Sequence, residues 1–162
     1  MNTKNFFLTT LLLGLTALLL LTGCAQSIAD AAPARHKLPG TWHVIVGESV
    51  NGFPGFEAYH TFNADGTMTE VSSLLPTLTE SPAHGVWAKD RDEYDATFEL
   101  FAFNEAGELD IRIRVRMTVT VDSDDHFSGV ADVDLLLPDG TVEKGVDSSS
   151  VEGTRVLVEG AG

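Results

Sequence analysis

The chain has 162 residues, with 10 lysines and arginines against 24 aspartates and glutamates, and a formal net charge of −14. This length suits one domain with a single hydrophobic core, and the negative charge argues against nucleic acid or an anionic membrane surface as a partner. The single cysteine excludes a disulfide framework and a zinc site built from thiolates.

Residues 1–23 have the pattern of a secretory signal sequence. Lys4 precedes a run of 16 residues, Phe6 to Leu21, that is almost entirely Leu, Phe and Thr. This run is short for a spanning helix, which needs about 20 residues. It ends in Leu21-Thr22-Gly23-Cys24, which resembles the lipobox of bacterial lipoproteins. The alternative is an ordinary signal sequence followed by an unmodified cysteine.

The lipobox resemblance implies that cleavage leaves Cys24 as an acylated N-terminus, which binds the protein to a lipid bilayer. Residues 24–37 are small and polar and are expected to form a flexible tether, while 38–162 form the folded domain. Residue 25 is Ala. By resemblance to enterobacterial lipoproteins, it lacks the Asp that signals retention in the inner membrane. The expected location is the cell envelope, in the outer membrane facing the periplasm if the host has two membranes.

After Lys37 the polar and apolar residues alternate with a period of two, which is typical of β-strands. Nine strands are predicted, at 41–48, 56–62, 67–73, 84–89, 93–103, 111–121, 126–137, 141–147 and 151–159, with the serine run 148–150 as a loop. Short turns between them predict antiparallel pairing of chain neighbours. The predicted fold class is therefore all-β, a single closed up-and-down barrel of about 8–9 strands.

Opposite charges predict the register of the middle strands. The expected cross-strand neighbours are Arg116–Asp132, Arg114–Asp134, Met117–Ala131 and Val115–Val133 on one side, and Ile113–Phe98, Arg112–Glu99 and Arg116–Asp95 on the other. Because this charged face cannot lie against lipid, the apolar face is predicted to point inward. The alternative, an inward arginine face that binds an acidic ligand, would expose Ile, Val and Met to water.

The first and last predicted strands resemble those of lipocalin and calycin barrels. The first begins Pro39-Gly40-Thr41-Trp42, and the last contains Gly153-Thr154-Arg155. The resemblance implies that Trp42 closes one end of the barrel and that Arg155 packs across its ring. The chain is more similar to compact calycin-like bacterial proteins than to transport lipocalins, because it has neither a Thr-Asp-Tyr motif nor the pattern of a C-terminal helix.

A barrel of this size is either filled by its side chains or holds one small ligand. The candidate ligand contacts are Phe53, Phe56, His60, Phe62, Tyr94 and Phe98. The loop 50–56 is interpreted either as a lid that touches an apolar ligand or as a cap on the barrel mouth, with 74–82 as a second apolar lip. His60 either binds a polar ligand group or haem iron, or is a buried core residue.

The leading hypothesis is an envelope lipoprotein whose barrel binds an apolar or lipid-like small molecule. One alternative is an isomerase or cyclase similar to allene-oxide-cyclase barrels, with His60, Tyr94 and Glu70 as candidates; this rests on analogy of fold. The other is a filled barrel with a structural or interaction role. No cofactor, metal site or confident catalytic residue is predicted, and the pattern leaves the oligomeric state open.

Overall fold

The computed structural model describes residues 37–74 and 79–160. They form a closed barrel of eight antiparallel strands in chain order. The strands are β1 Gly40–Val46, β2 Phe56–Phe62, β3 Thr67–Ser72, β4 Ala83–Asp90, β5 Glu93–Phe103, β6 Leu109–Val121, β7 His126–Leu136 and β8 Val142–Arg155. The predicted all-β barrel is confirmed. The described part of the chain contains no helix with the length and hydrophobicity of a membrane span.

The last two predicted strands are one strand in the structure. β8 continues through the serine run 148–150, which pairs with Val130, Ala131 and Asp132 of β7. The prediction of a loop there was wrong because the backbone of this run is held by β7 on one side, and on the other its carbonyls at Ser150 and Ser148 accept hydrogen bonds from the Gly47 and Val50 N–H groups. β8 then ends at Arg155, and Val156 to Val158 are exposed.

The apolar side chains point into the barrel. On β6, Met117, Val119 and Val121 are buried, whereas Arg112 and Arg116 are exposed. The alternative of an inward arginine face is therefore wrong. A single core of 18 buried residues runs through the barrel interior, as expected when alternate positions of every strand face inward.

The register of β6 agrees with the prediction on one side only. Arg116 lies opposite Asp132 and Arg114 opposite Asp134 on β7. On the β5 side the register was wrong by two residues, since Ile113 pairs with Leu100, not Phe98, and Arg116 pairs with Thr97, not Asp95. The predicted proximity of Arg112 to Glu99 is confirmed, with 3.4 Å between Arg112 Nη1 and Glu99 Oε2. A two-residue slip keeps the same side chains on the same faces, so matching apolar faces cannot detect it.

One end of the barrel is closed by aromatic side chains. The Trp42 ring packs on Phe127 with 4.9 Å between ring centroids, and its indole N–H donates a 2.8 Å hydrogen bond to the Leu38 carbonyl. The Arg155 guanidinium lies 4.1 Å from the centre of a Trp42 ring. It also donates hydrogen bonds to three backbone carbonyls, those of Lys37, Pro39 and Asp124. We call this the closed end.

The opposite end, which we call the mouth, is formed by residues 47–55, 73–74, 79–82, 104–108 and 137–141. Phe56 lies on the inner wall at the mouth, and Ile113 and Val115 lie on β6 between the mouth and the middle of the wall; all three are half-buried, although they pack against the core. Trp42, Phe62 and Phe127 at the closed end are at most 1% exposed. Trp87, toward the closed end, is half-buried as well, so three of the four half-buried side chains that pack against the core lie between the mouth and the middle of the wall.

Candidate functional site

Three polar or charged side chains are buried in the described part of the chain: His60, Glu70 and Asp134. Asp134 accepts hydrogen bonds from the Gly145 N–H at 2.9 Å and from Arg116 at 3.0 and 3.2 Å. These two partners lower the pKa of Asp134, so it is a well-paired carboxylate on the outer side of the sheet. His60 and Glu70 remain as the buried polar groups of the interior.

His60 and Glu70 lie directly opposite each other on β2 and β3. His60 is 3% exposed and Glu70 is 8% exposed. Their other cross-strand neighbours are apolar, Trp42 on β1 and Ala83 on β4. Side chains opposite each other on antiparallel strands have Cβ atoms about 5 Å apart, so a single small chemical group can contact both.

The His60 imidazole lies in apolar surroundings, and one of its ring nitrogens lacks a hydrogen-bond partner among the described residues. Its ring packs edge-on against Phe98, with 5.5 Å between centroids, and against Phe62 at 6.0 Å. Its Nδ1 atom is buried and has no hydrogen-bond partner among the described residues. Burial lowers the pKa of His60 from 6.5 to about 4, so the imidazole is neutral at pH 7.

The Glu70 carboxyl is also buried without a compensating charge. Burial raises its pKa from 4.5 to about 7, and the neighbouring Glu80 carboxylate adds to this rise. Within the described residues, no hydrogen bond or ion pair to the Glu70 carboxyl offsets its burial. The protonated form, which can donate a hydrogen bond, is therefore well populated near neutral pH.

Two further polar residues connect this pair to the mouth. Ser72 follows Glu70 on the same strand, and its hydroxyl donates a 3.2 Å hydrogen bond to Glu80 Oε2. Burial raises the pKa of Glu80, while the bond from Ser72 acts in the opposite direction. We call His60, Glu70, Ser72 and Glu80 the inner polar cluster. It forms a polar strip on β2, β3 and the connection to β4.

The structure divides the predicted aromatic contacts between the two ends of the barrel. Phe98 touches His60 in the middle of the wall, and Phe56 is half-buried at the mouth. Phe62 packs at the closed end against Trp87 and Phe127, with 6.4 and 6.5 Å between centroids.

Tyr94 also lies toward the closed end. Its ring packs on Trp87 at 5.7 Å and lies under the Lys89 ammonium, and it pairs with Val119 across the sheet. The structure therefore brings together His60, Glu70 and Phe98, and does not bring Tyr94 to them.

The loop from β1 to β2 is tied to β8. The Ser49 hydroxyl donates a hydrogen bond to the Asp147 carboxylate, and the Asn51 amide donates one of 2.7 Å to the Val146 carbonyl. Phe53 in this loop is 46% exposed, and its contact with a ligand stays a prediction. Part of the second predicted lip, residues 75–78, lies outside the described residues, as do the signal sequence, Cys24 and the tether up to residue 36.

Sequence reasoning identified His60 and named Glu70 only for the enzyme alternative, and it missed Ser72 and Glu80. A signal for Glu70 was present, because it alternates with Met68 and therefore shares its inward face. No set of three or more potential metal ligands occurs in residues 37–74 and 79–160.

The closed eight-stranded antiparallel barrel is compatible with a lipocalin- or calycin-like fold. Comparison of the chain with models of known protein families and with curated proteins gives no match.

Proposed function

We propose that this protein is an envelope lipoprotein whose barrel binds a small apolar or lipid-like molecule at its mouth. The observation that carries the proposal is the contrast between the two ends of the core. At the closed end Trp42, Phe62 and Phe127 are at most 1% exposed, whereas Phe56 at the mouth and Ile113 and Val115 on the inner wall of β6 are half-buried. Covering such a wall with an apolar ligand contributes about 25 cal/mol per Å² of apolar surface removed from water.

A pair of tryptophan substitutions tests this proposal. Val115 lies on the inner wall opposite Phe98 and Val133, while Val130 lies on the outer face and is 54% exposed. Val115→Trp should fill the mouth and weaken binding of diphenylhexatriene, a neutral apolar fluorescent probe, by about tenfold or more. Val130→Trp adds the same ring outside and should leave the affinity within about twofold. Lack of saturable binding, or equal effects of the two substitutions, would contradict the proposal.

The nature of the natural ligand is accessible from the host. Native mass spectrometry of the protein extracted from its own cells should reveal a bound compound of fatty or aromatic character. A barrel that is consistently free of any such compound would support the filled-barrel alternative.

The membrane anchor is a separate part of the proposal and rests on the lipobox resemblance at Cys24. Cys24→Ala should move the protein from the membrane fraction to the soluble fraction and abolish labelling by a fatty-acid probe. Ser27→Ala, three residues further along, is the matched control and should change neither property. Continued labelling of the Cys24→Ala variant would overturn the anchoring proposal.

An isomerase or cyclase is the second candidate function, favoured by the neutral imidazole opposite a carboxyl whose pKa is raised to about 7. Such a pair can act as general base and general acid on a bound apolar substrate. Tyr94 no longer belongs to this hypothesis because it lies toward the closed end. Returning the natural ligand to the protein in D2O tests it: deuterium incorporation that is lost in His60→Leu would favour catalysis.

A further inference from the structure

The inner polar cluster is unusual because the interior holds polar groups that the described protein side chains do not satisfy. Among the described residues His60 Nδ1 is the buried side-chain polar atom without a hydrogen-bond partner, and the Glu70 carboxyl, 8% exposed, lies opposite it with its pKa raised by burial. A buried polar group without a partner is strongly unfavourable, and native structures contain few of them. Each such group calls for an explanation.

We infer that the inner polar cluster is a subsite for a neutral hydroxyl or carbonyl group on an otherwise apolar ligand. The inference rests on the proposed function, because it names the chemistry of the ligand that the barrel binds. A hydroxyl can donate a hydrogen bond to the His60 nitrogen and accept one from the Glu70 carboxyl. A carbonyl oxygen can accept a hydrogen bond from either residue, since neutral imidazole and protonated carboxyl each carry one donor.

The charges on the inner wall of the barrel disfavour a ligand with an anionic head group. No lysine or arginine is buried in the described residues; the interior-facing ionisable groups of the cluster are His60, Glu70 and Glu80. A carboxylate ligand at this position would meet two acidic side chains and a neutral imidazole. Its charge would meet no cation among the described interior residues and would be repelled by whichever of these acidic side chains is ionised, so binding of a fatty-acid anion with its head at the cluster is disfavoured.

The position of the cluster fixes how the ligand lies. His60 and Glu70 are two positions from the mouth-side residues Ala58 and Ser72, and Ala58 pairs with Ser72. Beyond His60 the wall continues to Phe62 and the packed closed end. The polar group of the ligand is therefore buried in the barrel, and its apolar part extends toward Phe56 and Val115.

Competition between ligands of equal chain length tests the inference. Dodecanol and dodecanoate are used at neutral pH to displace diphenylhexatriene from the purified full chain. We expect dodecanol to bind about tenfold more tightly than dodecanoate. This is the factor in affinity that corresponds to supplying a hydrogen-bond partner to one buried polar group. His60→Leu and Glu70→Leu should each reduce the affinity for dodecanol by about fivefold or more while diphenylhexatriene still binds.

Two variants separate recognition from general damage to the barrel. Glu70→Gln keeps a neutral hydrogen-bonding group and should retain the preference for dodecanol. Tyr59→Phe removes a hydroxyl from an exposed side chain on the outer face of β2 and should leave both affinities unchanged. Thermal unfolding of each variant, followed by circular dichroism, checks that the barrel is folded.

The outcomes distinguish this inference from the proposed function. If diphenylhexatriene binds but dodecanoate binds as tightly as dodecanol, or the preference survives in both His60→Leu and Glu70→Leu, the subsite is overturned and the apolar binding function stands. If diphenylhexatriene itself does not bind, the proposed function fails and the subsite fails with it.

Discussion

The pH dependence of stability offers a direct measurement of how deeply Glu70 is desolvated. Burial raises its pKa from 4.5 to about 7 in the folded chain, whereas the unfolded chain keeps the ordinary value. Between these two values the folded state retains a proton on Glu70 that the unfolded state has released. The stabilising contribution of this group is therefore complete below about pH 4.5 and is lost as the pH rises to about 7.

The size of the effect follows from the shift. One pKa unit corresponds to about 1.4 kcal/mol, so the difference between 4.5 and about 7 gives a loss of about 3 kcal/mol in the free energy of unfolding. Glu70→Gln removes this titration while preserving the shape of the side chain. The variant should therefore gain about 3 kcal/mol relative to the natural protein between about pH 4.5 and pH 7.5.

His60 produces the opposite slope and must be measured separately. Burial lowers its pKa from 6.5 to about 4, so its stabilising contribution is present above about pH 6.5 and is lost as the pH falls toward 4. In the natural protein the two slopes oppose each other between about pH 4.5 and pH 6.5. The single variants separate the two slopes. The free energy of unfolding should rise with pH in Glu70→Gln, where only His60 titrates in this way, and should fall with pH in His60→Leu.

Urea unfolding followed by the fluorescence of Trp42 and Trp87, at several pH values and constant ionic strength, provides the free energies. Glu152→Gln, on the exposed outer face of β8, is the matched control and should shift the curve equally at every pH. If the natural protein and Glu70→Gln give parallel curves across the window, Glu70 is not desolvated in the folded protein. The argument for a polar group in an apolar wall would then be refuted.

Two further substitutions test the closed end of the barrel. Arg155→Met should lower the free energy of unfolding by about 2–4 kcal/mol, because it removes the contact with Trp42 and hydrogen bonds to three carbonyls. The control Arg112→Met, at an exposed position, should lower it by less than about 1 kcal/mol. Equal losses in the two variants would argue against the stacking of Arg155 on Trp42. Gly153→Val should destabilise the barrel by about 3 kcal/mol, since a side chain there would overlap the Phe127 ring. The control Thr154→Val, on the outer face, should change the free energy of unfolding by no more than about 0.5 kcal/mol. An unchanged stability of the Gly153→Val variant would contradict this packing.

The fold was predictable because alternation alone determines which side chains face inward. On β6 six apolar residues alternate with arginines and threonines, and only one orientation keeps the arginines in water. The register toward β7 was also predictable, because Asp132 and Asp134 lie opposite Arg116 and Arg114. The register toward β5 was not, since a two-residue shift exchanges apolar residues with apolar residues. The loop 104–108 together with the β-bulge between Ala102 and Phe103 sets this register.

The pairing of His60 with Glu70 was less predictable from the sequence, because it depends on the geometry of the turn between β2 and β3. Counting across the predicted turn 63–66 would oppose Phe62 to Thr67, and His60 to Thr69. In the structure Phe62 pairs with Met68, so the loop holds one more residue. Gly66 adopts a φ of +87°, and the Asp65 carboxylate accepts a hydrogen bond from the Thr67 N–H. This turn geometry is what brings Glu70 opposite His60.

The inner polar cluster breaks the pattern that the rest of the barrel follows. A barrel that binds no ligand could have leucine or valine at both positions and would be more stable for it. This protein has valine at other inward positions, such as Val44 and Val119. Here two ionisable side chains occupy adjacent inward positions; His60 Nδ1 has no hydrogen-bond partner among the described residues, and burial raises the pKa of Glu70. Local departures of this kind are typical of functional sites, where stability is sacrificed for recognition or chemistry. A polar group on a bound ligand would supply the partners that His60 and Glu70 lack, and this is why the proposed function is placed in the interior and not on the charged outer face.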